Sequence, residues 1–147
     1  WSMTGWRLGW LVHPAGLAHQ IGNLSAINST GSATFIQHAG VAAINQAEPF
    51  VDEMLQRCDA GRTIVAEAFD SHDRIVAPHV PASFYSFFQI TGVAKSLAFA
   101  EGLVARAGVG IAPGTAFGPG FDGYFRISFA QDPNRLMRAL DRLVTAL

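Results

Sequence analysis

The sequence predicts an α/β chain, and three observations predict it. Apolar residues recur at helical spacing up to about residue 70. From residue 75, aromatic-rich runs bounded by Pro78, Pro81 and Gly92 take over, and a strict helical stripe returns after Pro133. The chain has 147 residues, half of them hydrophobic and 14% charged. That is enough to bury the core of one domain, or of one small domain plus part of another.

Each element has its own signal. Arg7 to Val12 reads as a strand ending before Pro14, with Trp6, Leu8, Trp10 and Val12 on one face and Arg7, Gly9 and Leu11 on the other. The tryptophans on that face, Trp6 and Trp10, are expected in a core, with an interface as the alternative. Leu17 to Ile27 reads as a short helix, and Gly31-Ser32-Ala33 breaks it from a second, Ala33 to Gln46. A third helix starts near Pro49, where the missing N–H costs nothing. Its apolar Phe50, Val51, Met54, Leu55 and Cys58 fall on one face, and it continues to Phe69 through Gly61, at a cost of about 1 kcal/mol relative to alanine.

Ile75 to Pro78 and Phe84 to Ile90 then read as strands. Lys95 to Ala107 reads as an amphipathic helix with Leu97, Ala100, Leu103, Val104 and Ala107 on one side, closed by Gly108. Val109 to Ala112 is a short buried strand and Tyr124 to Ala130 a longer one. The last helix opens at Asp132-Pro133, a capping residue followed by proline, and carries the stripe Leu136, Leu140, Leu143, Val144 and Leu147. The reading divides the chain into residues 1–47, the end of one domain's sheet and helices, and residues 48–147, a helix leading into a small α/β domain. No internal repeat or low-complexity tract interrupts it.

Several function classes lose support from composition. A net charge of −1 gives no reason to expect nucleic acid or an anionic membrane surface. No apolar run approaches the roughly 18–20 residues that span a bilayer, and the first residues lack a signal-peptide pattern. The lone Cys58 rules out an internal disulfide and fits a reducing cytoplasm. On the apolar stripe of its helix it is a core residue, not a nucleophile. His13, His19, His38, His72 and His79 form no i, i+4 pair or mixed Cys/His cluster, so no metal site is expected. Lys95 reads as solvated surface. The glycines of Gly108 to Gly114 match neither a dinucleotide nor a P-loop fingerprint.

Two arginines stand out as candidate ligand groups. Arg7 has Gly9 on its own strand face and Ser2, Thr4 and Gly5 close in sequence, small neighbours that suit a phosphate gripped by a guanidinium fork. A carboxylate partner or solvent would also satisfy it. Arg126, in Tyr124-Phe125-Arg126-Ile127-Ser128-Phe129-Ala130, shares its face with Tyr124 and Ser128. It is costly to bury there without an anion. Asp122 or Asp132 could be that anion, or a ligand could.

Taken together, these segments resemble a known family. Trp1-Ser2-Met3-Thr4-Gly5-Trp6-Arg7-Leu8-Gly9-Trp10 resembles the segment just after the cofactor lysine in class I/II aminotransferases, the fold-type I pyridoxal-phosphate (PLP) enzymes. In that family a Ser-x-Ser-Lys run precedes Met-Thr-Gly-Trp-Arg-Leu-Gly, with the Schiff-base lysine eight residues before the arginine. Counted back from Arg7, that position lies upstream of Trp1, so these residues contain no catalytic lysine. The run from Gly108 to Gly114, then Phe117-Gly118, then Gly123 to Ala130 is similar to the family's second signature. Gln37 to Ala43 and Pro81 to Tyr85 also match in outline.

The resemblance implies the end of the large PLP-binding domain over residues 1–47 and the small carboxy-terminal domain over 48–147. It implies that Arg7 binds the PLP phosphate, that Arg126 grips the substrate α-carboxylate and that Phe117 lies near the substrate. The implied activity is transfer of an amino group from an amino acid to a 2-oxo acid by a cytoplasmic homodimer, with no nucleic-acid or membrane partner. Without the lysine, residues 1–147 alone are expected to be inactive and prone to self-association. A PLP-dependent lyase or cyclising synthase would keep both arginines. The effector-binding domain of an aminotransferase-like transcription regulator, or a free-standing binding module, would need only the fold. Which amino acid is the substrate is not readable from these residues.

Overall fold

In the computed structural model, which describes residues 1–147, three helices precede a mixed run of strands and helices, and most segments form the element their local chemistry favours. The helices are α1 (Ala18–Ser29), α2 (Thr34–Gln46), α3 (Glu48–Asp70), α4 (Ser96–Ala107) and α5 (Pro133–Thr145). The strands are β1 (Ile75–Val76), β2 (Tyr85–Ile90), β3 (Ala112–Pro113) and β4 (Tyr124–Ser128). Compact packing divides the chain between Glu53 and Met54, inside α3.

In the first unit, Trp1–Glu53, α1 and α2 come after the 3-10 turns Thr4–Trp6 and Ala15–Leu17. Only Gly40 on α2 is buried, where a Cβ would collide with the Leu8 side chain. The strand expected from Arg7 to Val12 does not form. Arg7 closes the Thr4–Trp6 turn in the left-handed region, φ 56° and ψ 39°, and none of the four strands pairs with Leu8 to Val12. An alternating pattern makes a strand only where a ladder accepts its N–H and C=O groups, and these residues have none. The tryptophans expected in a core are therefore at the surface: Trp6 is exposed and Trp10 is 69% exposed.

In the second unit, Met54–Leu147, the strands form one antiparallel sheet in the order β1-β2-β4-β3. Ser86, Phe88, Ile90 and Phe125 point from one sheet face into the core. There they are covered by Val65 and Phe69 of α3, Ala100 and Leu103 of α4, and Leu136, Leu140 and Leu143 of α5. Phe88 lies between Phe69 and Phe125, with ring centroids 4.4 and 6.1 Å away. The glycine in α3 has its reason here: a Cβ on Gly61 would collide with the Phe129 carbonyl, so close approach offsets its weak helix propensity.

Two helix faces differ from expectation. On α3 the buried line is Gly61, Val65 and Phe69, with Cys58 packed at its margin, while Phe50 and Leu55 are exposed. On α4, Ser96, Ala100 and Leu103 face inward and Leu97 and Val104 outward. In both helices the stripe read from periodicity is broader than the part the sheet covers, and the position of the sheet selects the buried line. Ladder pairing also trims the strands. β3 is Ala112–Pro113, and Val109 and Ile111 are buried outside any ladder. β4 ends at Ser128, although Phe129 N–H still donates to the Phe84 carbonyl at 3.0 Å.

Loops are held by arginine. Arg62 of α3 pairs with Asp59 and donates to the Val80 and Pro81 carbonyls at 3.3 Å each. Arg74 donates to the Thr91 carbonyl and to the Leu147 carbonyl, joining the start of β1 to the end of β2 and to the last residue. Lys95 is exposed.

Candidate functional site

Arg126 sits on an interior strand of the sheet. β4 lies between β2 and β3, with Phe87 opposite Arg126 on one side and Ala112 on the other. Alternation sends Phe125 into the core and turns Tyr124, Arg126 and Ser128 to the opposite face, where they are half-buried. From β2, Tyr85, Phe87 and Gln89 share that face. The guanidinium carbon of Arg126 lies 4.1 Å from the Tyr85 ring centroid and 4.2 Å from that of Phe117. Phe87 stacks on Tyr124 at 5.5 Å and meets Phe117 and Phe121 edge-on at 5.9 and 5.3 Å.

Short-range chemistry fixes this arrangement. The buried Ser96 hydroxyl accepts from Gly123 N–H at 2.7 Å and donates to the Phe121 carbonyl at 3.3 Å, tying the start of α4 to the turn before β4. Phe117 ends the 3-10 turn Gly114–Phe117, which packs so closely on β4 that a Cβ on Gly114 would collide with the Phe121 carbonyl.

Both carboxylates that the sequence offers Arg126 are engaged elsewhere. Asp122 Oδ1 accepts from Ser96 N–H at 3.2 Å. Asp132 Oδ1 accepts from Arg135 N–H at 2.9 Å and caps α5. The single ion pair in the chain is Arg62–Asp59. Aromatic faces attract a guanidinium, worth about 0.5–2 kcal/mol each depending on desolvation, but they do not occupy its in-plane N–H fork. Arg126 therefore presents unused donors, held by rings, in the geometry that suits a carboxylate taken bidentately.

Arg126 and Phe117, both singled out from the sequence, are thus brought together. Tyr85, Phe87 and Phe121 were not singled out. The alternation of Tyr85 and Phe87 with Ser86 and Phe88 was readable, but the register that sets Phe87 opposite Arg126 was not. Arg7 belongs to the first unit. Its guanidinium is exposed and donates to the Thr4 carbonyl at 3.3 Å, with no carboxylate partner. Cβ atoms on Gly5 or Gly9 would meet nothing within 4 Å. A positive φ on a non-glycine residue such as Arg7 stores roughly 1–3 kcal/mol, a cost that collects at ligand sites. No three His, Cys, Asp or Glu side chains come together, and no helix is long and apolar enough to cross a membrane.

Comparison with known proteins gives this geometry its context. Residues 1–143 match the family model described as aminotransferase class I and II. The chain belongs to the class I and II aminotransferase family. Its residues are 36% identical over 149 residues to an aspartate aminotransferase from Pyrococcus horikoshii, a match covering 99% of this chain and 38% of that protein. They are 33% identical over 144 residues to an LL-diaminopimelate aminotransferase from Desulforudis audaxviator, covering 97% of this chain and 36% of that protein. The crystal structure of an aromatic aminotransferase from Pyrococcus horikoshii superposes with a TM-score of 0.91 at 32% identity, over 99% of this chain and 39% of that one. The chain thus spans well under half the length of the relatives it matches, and it has the α/β aminotransferase fold of that region.

Proposed function

We propose that this chain is part of a PLP-dependent aminotransferase that moves an amino group from an amino acid to a 2-oxo acid. The observation that carries the reading is the Arg126 guanidinium, flanked by the Tyr85 and Phe117 rings at 4.1 and 4.2 Å with no anion of its own. In this reading residues 1–47 belong to the large cofactor-binding domain and residues 48–147 to the helix and small domain that come after it.

The residues fit the cofactor's phosphate. Arg7 keeps most of its donor fork free, has open space at Gly5 and Gly9, and stands beside the hydroxyl-bearing Ser2 and Thr4 in sequence. When bound, PLP supplies the electron sink that amino-group transfer needs. Arg7 anchors its phosphate. Arg126 takes the substrate α-carboxylate in two parallel N–H···O bonds and fixes the orientation of the α-carbon. Tyr85 and Phe117 hold the guanidinium in place, and with Phe87 they keep water from the carboxylate, which strengthens the pair. Phe117 also borders the substrate.

The substrate class stays at amino acids with a free α-carboxylate, since the named relatives act on different side chains. A homodimer is part of the reading, supported by the large apolar side chains at the surface of residues 1–53, Phe35 at 70% and Trp10 at 69% exposure among them. A cytoplasmic setting is also part of it, on the ground of the lone free thiol of Cys58.

The test is a panel of amino acid and 2-oxo acid pairs assayed with PLP, in the polypeptide that carries the lysine and in residues 1–147 alone. Transamination in the first and none in the second is expected. Elimination or cyclisation of the amino acid without transfer would replace this reading with that of a lyase or synthase on the same scaffold. Sedimentation of the active protein as a monomer across a wide concentration range would remove the homodimer.

A further inference from the structure

A cleft rich in arginine runs along β4, with Arg126, Ile127 and Ser128 among its lining residues. It has a volume of about 570 Å³ and opens between α5, the Gly108–Gly110 turn and the edge of β4. Arg135, Arg138 and Arg142 line it from three successive turns of α5, Gln131 lies at its end, and no carboxylate lines it. None of the three guanidiniums makes an ion pair or a side-chain hydrogen bond. Arg142 has a local role, since its Nη1 reaches the Gly108 turn that ends α4, where a cation meets the negative end of the helix. Arg135 and Arg138 have no such partner.

The strand edge adds backbone donors. β3 pairs with β4 only through Ala112 and Pro113, opposite Arg126 and Phe125. Phe129 N–H donates to the Phe84 carbonyl, toward β2. In an antiparallel ladder consecutive residues point their backbone groups to opposite sides, so the N–H and C=O of Ser128 face the cleft. The residue that continuation of β3 would set there, Gly110, makes no hydrogen bond to it, and a Cβ on Gly110 would meet nothing within 4 Å. The cleft therefore offers three guanidinium forks, a free backbone N–H and room beside a glycine, without a neutralising acid.

We propose that this cleft binds a compact anion carrying two or more linked phosphate groups, a ligand class different from the single carboxylate proposed for Arg126, which borders the cleft from β4. Three guanidiniums spaced along a helix match the several charges of a phosphate chain better than the single charge of a lone carboxylate.

Calorimetric titration of the purified protein with tripolyphosphate, and separately with ATP, tests it. Saturable binding at one site per chain is expected, weakened at least tenfold by Arg135→Ala and by Arg138→Ala. It should be unchanged by Arg57→Ala, which removes an exposed arginine of α3 outside the cleft. Equal affinity for the two probes assigns the cleft to the phosphate chain alone; tighter ATP binding assigns it to a nucleotide. No saturable binding of either probe to the unmodified protein at millimolar concentration overturns the proposal. So does binding that survives both cleft substitutions, or that Arg57→Ala weakens equally.

Discussion

The two halves of this chain carry similar apolar side chains in sequence and fold to opposite results. Residues 54–147 contain every fully buried hydrophobic side chain, from Val65 to Leu143, arranged as one sheet face under three helices. Residues 1–53 carry comparable side chains, Trp1, Trp6, Trp10, Leu24, Ile27 and Phe35, and expose them. Helix propensity and turn chemistry operate in both halves, since α1 and α2 form about where their periodicity puts them. The difference is the sheet. A strand face gives a helix something to cover, and the ladder satisfies backbone groups that must leave water. In residues 1–53 no strand pairs, so the apolar stripes of those helices remain surfaces.

This contrast sets the order of expected effects. The largest is Phe88→Ala: removing a ring with no exposed surface from between Phe69 and Phe125 costs about 3–5 kcal/mol in urea unfolding. Its counterpart in the first unit, Phe35→Ala, changes stability by less than about 0.5 kcal/mol, because that ring is already in water. A large loss at Phe35 would mean that residues 1–53 bury a core of their own.

Next comes Arg126→Ala, assayed in the active enzyme. If Arg126 takes the substrate carboxylate as proposed, loss of that desolvated charge pair costs about 2–5 kcal/mol, roughly 30- to 5,000-fold in kcat/KM. Stability should fall only by the lost ring contacts, about 0.5–2 kcal/mol each, since no carboxylate of the protein loses its partner. Arg126→Lys should recover only part of the rate, because a point charge lacks the fork. Tyr85→Ala should raise KM for the amino acid, with Tyr85→Phe close to the original, if the ring face rather than the hydroxyl holds the guanidinium.

Two substitutions within the second unit have smaller effects. Gly61→Ala improves helix propensity yet should destabilise by about 1–3 kcal/mol, because the added methyl meets the Phe129 carbonyl. Asp132→Ala removes the side-chain cap of α5 and should cost about 0.5–2 kcal/mol by thermal unfolding. A stabilised Gly61→Ala protein would show that α3 and the segment after β4 do not approach as described.

Much of the fold is legible in the residues alone. The bounds of α2, α3, α4 and α5 lie within a residue or two of their periodic patterns, and the Asp132-Pro133 start of α5 caps as written. At the candidate site, alternation alone separates Arg126 from Phe125. Other expectations failed for one shared reason. The strand at Arg7, the face of α4 bearing Leu97 and Val104, and the extent of β3 all depend on what lies opposite. Period-2 and period-3.6 patterns state which residues share a face. They do not state whether anything covers it.

The sequence by itself therefore determined the helices, the strands of the second unit, the cap of α5 and the family signatures around the two arginines, because propensity, capping and alternation act within a few residues. Only the tertiary structure decided that Tyr85 and Phe117 flank Arg126, that Asp122 and Asp132 are engaged elsewhere, and that three arginines of α5 line a cleft at the open edge of β4. Those facts depend on strand register and on the approach of segments up to about 40 residues apart in the chain. Both are selected by burial of one shared core, not by any local pattern.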